Sequence, residues 1–333
     1  MADTFTFTSP GQKVGGSDAK ELFLKLYSGE TLMAYERKTT FAARTKRATI
    51  SRGKQYQWPA TGRVTASRAT PGVEANGQST SQNEVTIGLD PAIQVPLFFD
   101  DFYAQMEHFD TRSAYAMASG EALAVQEDQD ISKEIVKASK TAAIVGVGHD
   151  FGGSVIVSDK FKIQAGGVGS ADVAEQALAL YEALFLAAQT FAEKNVPLDE
   201  IFCCINAARY FNMVKAIQSN GFSLSSKDYF PSAADLNNGT LPRLAGIQIL
   251  WSNLLPTTDT SGSDTYHGVN AAKTVGVIWR SDAVGTLILN GLQVKVQEQV
   301  RALGTYMTTF YLKGHGVLRP SSAISLELST LSN

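Results

Sequence analysis

Residues 110–140 of this chain contain no proline and a single glycine, Gly120, among many alanines and glutamates. A run of that length and composition predicts one helix of about 45 Å, at about 1.5 Å per residue. Asp110 is the expected N-cap, and Lys133, Lys137 and Lys140 suit the negative end of its dipole. A second helix is expected from about residue 171 to 194, where Val173, Ala177, Leu180, Tyr181, Leu184, Ala188 and Phe191 form an apolar stripe and Pro197 follows. A third is expected near Ala207–Ser219. Around them lie short apolar runs that read as strands: Ile201–Ile205, Ile247–Trp251, Val275–Trp279, Leu287–Leu289, Leu292–Val296, Met307–Leu312 and Ile324–Leu328. Val155–Val157 and Phe161–Ile163 predict a small hairpin. The fold class is α+β.

The chain's charge is segregated. Nine basic residues and no acid fall between positions 37 and 68: Arg37, Lys38, Arg44, Lys46, Arg47, Arg52, Lys54, Arg63 and Arg68. Glycine, proline, serine and threonine are frequent there, which predicts extended arms and a long hairpin rather than a packed core. Strands are expected to return at Val85–Ile87 and Ile93–Val95. From Glu84 to Glu134 the sign reverses, with eleven acids opposed only by Arg112 and Lys133. Ahead of both lies a Gly/Ser/Thr-rich arm of sixteen residues. Ser17-Asp18 then offers a cap for a short amphipathic helix carrying Leu22, Phe23, Leu26 and Tyr27.

These features exclude several classes. A net charge of −3 argues against a surface that grips nucleic acid all round. No run of about 18 apolar residues is present, so no membrane span is expected, and the front of the chain lacks a secretory signal pattern. With 333 residues the chain has enough core to need no disulfide or metal staple. The two cysteines, Cys203 and Cys204, are adjacent in an apolar strand and are expected to point to opposite faces, in a reducing compartment.

No catalytic constellation emerges. Gly166-Gly167-Val168-Gly169-Ser170 precedes a helix but lacks the lysine of a phosphate loop and the spacing of a dinucleotide fingerprint. His108, His149, His267 and His315 show no metal-ligand spacing, and His315 between two glycines reads as a turn residue. Asp100-Asp101 would diverge on a strand or cap a helix. No catalytic residue, metal ligand or cofactor site is assigned. The basic segment admits three readings: a single-strand nucleic-acid site with Phe41, Tyr56 and Trp58, a solvated basic arm, or a contact with the acidic region of a neighbouring copy. The third fits the whole chain best. It assigns inter-subunit contacts to Arg37, Lys38, Arg44, Lys46, Arg47, Arg52, Lys54, Trp58, Arg63 and Arg68.

Several blocks carry a family resemblance. Glu21–Leu32 with Glu36–Thr39, Ile50–Pro59 continuing through Gly62-Arg63 to Pro71-Gly72, Phe109–Tyr115 with Gly120–Ala124, Arg280–Thr286 and Lys313–Pro320 resemble, in order, segments of the major capsid proteins of T-seven-like short-tailed double-stranded DNA bacteriophages. The resemblance spans roughly residues 19–320, less closely over 141–275. It implies an HK97-type capsid fold, with an N-terminal arm (1–47), an extended E-loop hairpin and entry to the peripheral domain (48–107), a peripheral domain with a long spine helix (108–194), an axial domain (195–285), and a return to the peripheral domain (286–333). It further implies a non-enzymatic protein that self-assembles into hexamers and pentamers of an icosahedral shell. The implied partners are a scaffolding protein during assembly, a portal protein at one vertex and packaged DNA bound without sequence specificity. Assembly would take place in the host cytoplasm. Competing expectations are an encapsulin-like shell protein, a DNA-binding protein using residues 37–68, and a hydrolase whose site is assembled from distant residues.

Overall fold

The computed structural model describes residues 30–35, 39–62, 64–69, 71–72, 74, 77, 82–100, 111–145, 150–162, 170–219, 241, 243–299, 301 and 303–329, side chains at 111–112, 170–174 and 215–219 excepted. In chain order the strands are β1 (Lys46–Thr49), β2 (Gln55–Thr61), β3 (Gln82–Gly88), β4 (Ile93–Asp100), β5 (Ser154–Val157), β6 (Ile201–Ile205), β7 (Gln248–Trp251), β8 (Thr274–Arg280), β9 (Val284–Gln299), β10 (Gly304–Val317) and β11 (Ala323–Glu327). The helices are α1 (Thr111–Lys140), α2 (Ser170–Glu193) and α3 (Ala207–Ser219). All three expected helices are present. The expected cap Asp110 and the amphipathic segment 17–29 lie outside the described residues; residues 30–35 are helical.

The chain divides into two compact units. One contains residues 1–39, 90–128 and 288–313, the other 40–89, 129–287 and 314–333. In the first, β4 pairs antiparallel with β10 from Gly304↔Asp100 to Tyr311↔Ile93. Ala116 of α1 packs with Met307, Phe99, Val294 and Val296. A buried ion pair sits in this unit: the Lys313 ammonium donates to both Glu127 carboxylate oxygens, at 2.7 and 2.9 Å, and to the Tyr35 hydroxyl at 2.6 Å. It also lies 4.9 and 5.0 Å from the Tyr35 and Tyr311 ring centres, a cation–π arrangement.

The second unit is built on a five-stranded sheet of order β5-β11-β8-β6-β7. One face packs under α2 and α3 through Leu180, Leu184, Phe191, Ile201, Cys203, Ile205, Met213, Ile278 and Ile324. The other packs under the second half of α1 through Ile131, Ile135, Cys204, Val277, Trp279 and Ala323. Successive side chains on a strand point to opposite faces, so the adjacent cysteines enter different cores, as expected. Neither is in a disulfide, and burial pushes the Cys203 thiol up to about 12, far from a reactive thiolate.

Three local expectations are corrected. Residues 155–163 do not form a hairpin: β5 pairs in parallel with the distant β11, and a 3-10 turn at Asp159–Phe161 follows, burying Phe161 beneath α2. Ile163 lies outside the described residues. The strands expected at 287–289 and 292–296 are one, β9, which runs through Gly291 beside the long β10. His315 is no turn residue: it lies buried in β10, with Nδ1 3.2 Å from the Thr286 hydroxyl.

Candidate inter-subunit surface

The basic segment begins with a tight turn at Ala42–Arg44, held by the buried Phe41 ring against Trp279, 5.1 Å between centres. The Ala42 carbonyl is the hub of this turn. It accepts from the Thr45 hydroxyl at 3.2 Å and from Arg47 Nε at 3.0 Å. Arg44 donates to the Thr40 carbonyl, and its guanidinium stands 5.3 Å from the Phe202 ring centre. Trp279 Nε1 in turn donates to the Arg44 carbonyl at 3.2 Å. Arg44 and Arg47 are therefore engaged by their own subunit.

Beyond the turn the side chains point outward. Lys46, Arg52, Lys54 and Arg68 are exposed. Arg37, Lys38 and Arg63 lie outside the described residues. Strands β2 and β3 form a two-stranded antiparallel ribbon, in register from Gln55↔Gly88 to Thr61↔Gln82. Pro59 fits there because an edge strand spares it a ladder hydrogen bond. Along both strands almost every side chain is exposed; only Trp58 and Ile87 are buried.

Those two explain how the ribbon is rooted. Trp58, 8% exposed, packs with Ile87 and Leu287. The Leu89 amide donates to the Lys54 carbonyl at 2.9 Å, closing the base. A side chain on Gly314 would collide with the Gly88 carbonyl, so glycine there lets β10 approach the ribbon's root. Within its own subunit Trp58 is the ribbon's internal anchor, whereas Tyr56, 4.5 Å from it edge to face, is the exposed aromatic.

The acidic region also differs from expectation. Glu127, Asp128, Asp130 and Glu134 are buried on α1 and cannot offer an open surface to a neighbour. Burying a charge is costly unless it is paired, and for three of the four an ion-pair partner is present. Glu127 holds Lys313, while Glu134 meets His267 Nδ1 at 3.0 Å and Lys137 at 3.1 Å. Lys133 reaches Asp264 at 2.7 Å and Asp130 at 3.7 Å. Partial burial opposes ionisation of Asp264, but hydrogen bonds from Lys133 and from the His267 and Tyr266 amides outweigh it and lower its pKa to about 2. These contacts fasten the loop after β7 onto α1.

Among the described residues, no group of three or more His, Cys, Asp or Glu could hold a metal, and no helix is long and apolar enough to cross a membrane. His108, His149, Asp101 and Gly166–Gly169 lie outside the described residues.

Comparison with known proteins supplies the rest. The family model described as Gp10A-like major capsid protein matches residues 57–327. The major capsid protein of Escherichia phage T7 is 24% identical over 332 aligned residues, covering 93% of this chain and 92% of that one. The capsid structure of cyanophage P-SCSP1u is 30% identical with a TM-score of 0.73, covering 98% of this chain and 99% of its own. The mature capsid of bacteriophage PhiM1, at 15% identity, shows the same fold with a TM-score of 0.71 over 88% of each chain. With its three-layer unit, its long helix and its rooted ribbon, this chain has the HK97-type fold and belongs to the Gp10A-like major capsid protein family.

Proposed function

We propose that copies of this chain assemble as hexamers and pentamers of an icosahedral shell, and that the exposed basic residues of 37–68 clasp neighbouring copies. One observation carries the reading: the β2–β3 ribbon presents nearly all of both strands to solvent. A two-stranded ribbon is marginally stable alone in water, so so much surface is best accounted for by cover from another subunit. The charges available for the contact are Lys46, Arg52, Lys54 and Arg68, with Arg37, Lys38 and Arg63 part of the same proposal. Arg44 and Arg47 support the turn from which the ribbon departs.

The proposal keeps the domain reading of arm (1–47), E-loop and entry (48–107), peripheral domain (108–194), axial domain (195–285) and return (286–333). It includes a scaffolding protein during assembly in the host cytoplasm, a portal protein at one vertex, and enclosed double-stranded DNA met without sequence specificity. A net charge of −3 suits an enclosure whose wall should not hold phosphates tightly. A subunit engaging several neighbours at once gains through effective concentration even where each contact is weak.

The test is Lys46→Glu/Arg52→Glu/Lys54→Glu. The isolated subunit should keep its circular dichroism and urea midpoint, while particle yield in the presence of scaffold falls in sedimentation and negative-stain images. Particles of normal yield and heat resistance would overturn the inter-subunit role.

A further inference from the structure

Two buried histidines of the second unit lie side by side, with ring centres 6.0 Å apart. Histidine ordinarily takes up its proton between pH 5 and 8, so the surroundings of this pair decide how the fold answers acid. His267, in the loop after β7, has Nδ1 3.0 Å from Glu134 Oε1, an oxygen that also holds Lys137 at 3.1 Å. The carboxylate accepts, so Nδ1 of His267 carries a proton. His315, on β10, has Nδ1 3.2 Å from the Thr286 hydroxyl, which lies 3.1 Å from the Thr45 hydroxyl. Thr45 spends its one hydroxyl proton on the Ala42 carbonyl, at 3.2 Å. Thr286 must then donate to Thr45 and accept from His315, so Nδ1 carries the proton here too. In both rings Nε2 is left as the atom that takes up a further proton.

We propose that the His267–His315 pair is an acid-sensitive latch on the turn from which the ribbon departs. The charges on the surrounding elements leave it one counter-ion. On α1 that is Glu134, already shared with Lys137; Asp128 is buried elsewhere on that helix, and Asp130 and the loop's Asp264 are engaged by Lys133. The turn brings two further cations, Arg44 and Arg47, and β10 brings Lys313, which Glu127 holds. Residues 284–287 of β9 carry no charge. One proton on the pair is therefore matched by Glu134. A second sets two imidazoliums and Lys137 beside a single carboxylate, and buried like charges so close repel. Separating the rings relieves this, and it takes His315 from the head of the chain Thr286–Thr45–Ala42. The separated form binds the second proton more readily, so falling pH favours it. The Ala42 carbonyl keeps Arg47, and the turn loosens without unfolding. Every residue of the latch pair and its relay lies in the second unit, so the inference does not depend on the clasp reading.

Two protons of the full-length, unassembled subunit report on the turn in NMR-detected hydrogen exchange. The Arg44 amide donates to the Phe41 carbonyl at 2.8 Å, and Trp279 Nε1 donates to the Arg44 carbonyl at 3.2 Å. After correction for the intrinsic pH dependence of exchange, both should lose protection roughly tenfold between about pH 7.5 and about pH 5, while the amides of β6 and β8 keep theirs. His315→Asn retains a donor for Thr286 but cannot charge. It should keep the protection seen at neutral pH and abolish the acid step. Should that variant fold poorly, His267→Asn removes the other charge and carries the same expectation. Thr286→Val cuts the relay without altering either ring and should leave the turn equally loose at both ends of the range. Protection at the turn that is indifferent to pH would overturn the proposal, as would an acid step that survives in the asparagine variants. Equal loss of protection in β6 and β8 would mean that acid unfolds the subunit as a whole, and the latch would fall with it.

Discussion

Among the described residues, the buried charges of Glu127, Asp130 and Glu134 have their partners in place. Lys313 is the clearest case: Glu127 is 1% exposed and the lysine side chain 10%, and two tyrosine rings flank the ammonium. Removing one partner of such a pair leaves a desolvated charge, which costs far more than the pair contributes. Lys313→Met should therefore destabilise the subunit by about 3–5 kcal/mol, read as a lower urea midpoint, and the double variant Lys313→Met/Glu127→Leu should recover most of that loss. A double variant no more stable than the single one would mean that Glu127 is not the reason. Cys203 and Cys204 make the same point with neutral groups. Their fates were readable from the period of two along a strand, whereas the depth of each thiol depends on helices far away in sequence.

Among the elements, the ribbon of β2 and β3 is the least self-sufficient. It adds no strand to either larger sheet and is fixed through Trp58 and Ile87 against Leu287. Truncating a buried tryptophan removes its transfer free energy and leaves a cavity, about 3–5 kcal/mol where the surroundings hold their shape. Trp58→Ala should release the ribbon locally while the five-stranded sheet persists. Hydrogen exchange should quicken at the amides of residues 55–61 and 82–88 and stay slow in β6, β8 and β11. Uniform quickening would show that the ribbon is an integral part of the core. The element-scale expectations that failed have one cause: adjacency in sequence was taken for adjacency in space. Residues 155–163 contain two apolar triplets at hairpin spacing, yet β5 finds its partner in β11, more than a hundred and fifty positions away.

For the whole molecule, assembly by opposite charge has a signature that folding by apolar cores lacks. Raising ionic strength from 0.1 to 1 M shortens the screening length from about 10 to 3 Å. Particle formation should weaken over that range, while the urea midpoint of the unassembled subunit changes little because its fold rests on apolar cores and its Lys313–Glu127 pair is buried. Sedimentation across a salt series would check this, and assembly indifferent to salt would leave shape and apolar contact as the only cement.

The sequence alone determined the three helices, most strands and the segregation of charge, because local period and composition act over a few residues and are written in order. Together with the collinear blocks, that was enough for the fold and the family. Only the tertiary structure decided which charges are available. Eleven acids between Glu84 and Glu134 look alike in a row, yet four are turned inward, three of them to lysine or histidine partners, and Trp58 sits inside among exposed neighbours. The physical reason is that burial is set by what lies opposite a side chain across the fold, a relation between distant segments that no local pattern contains.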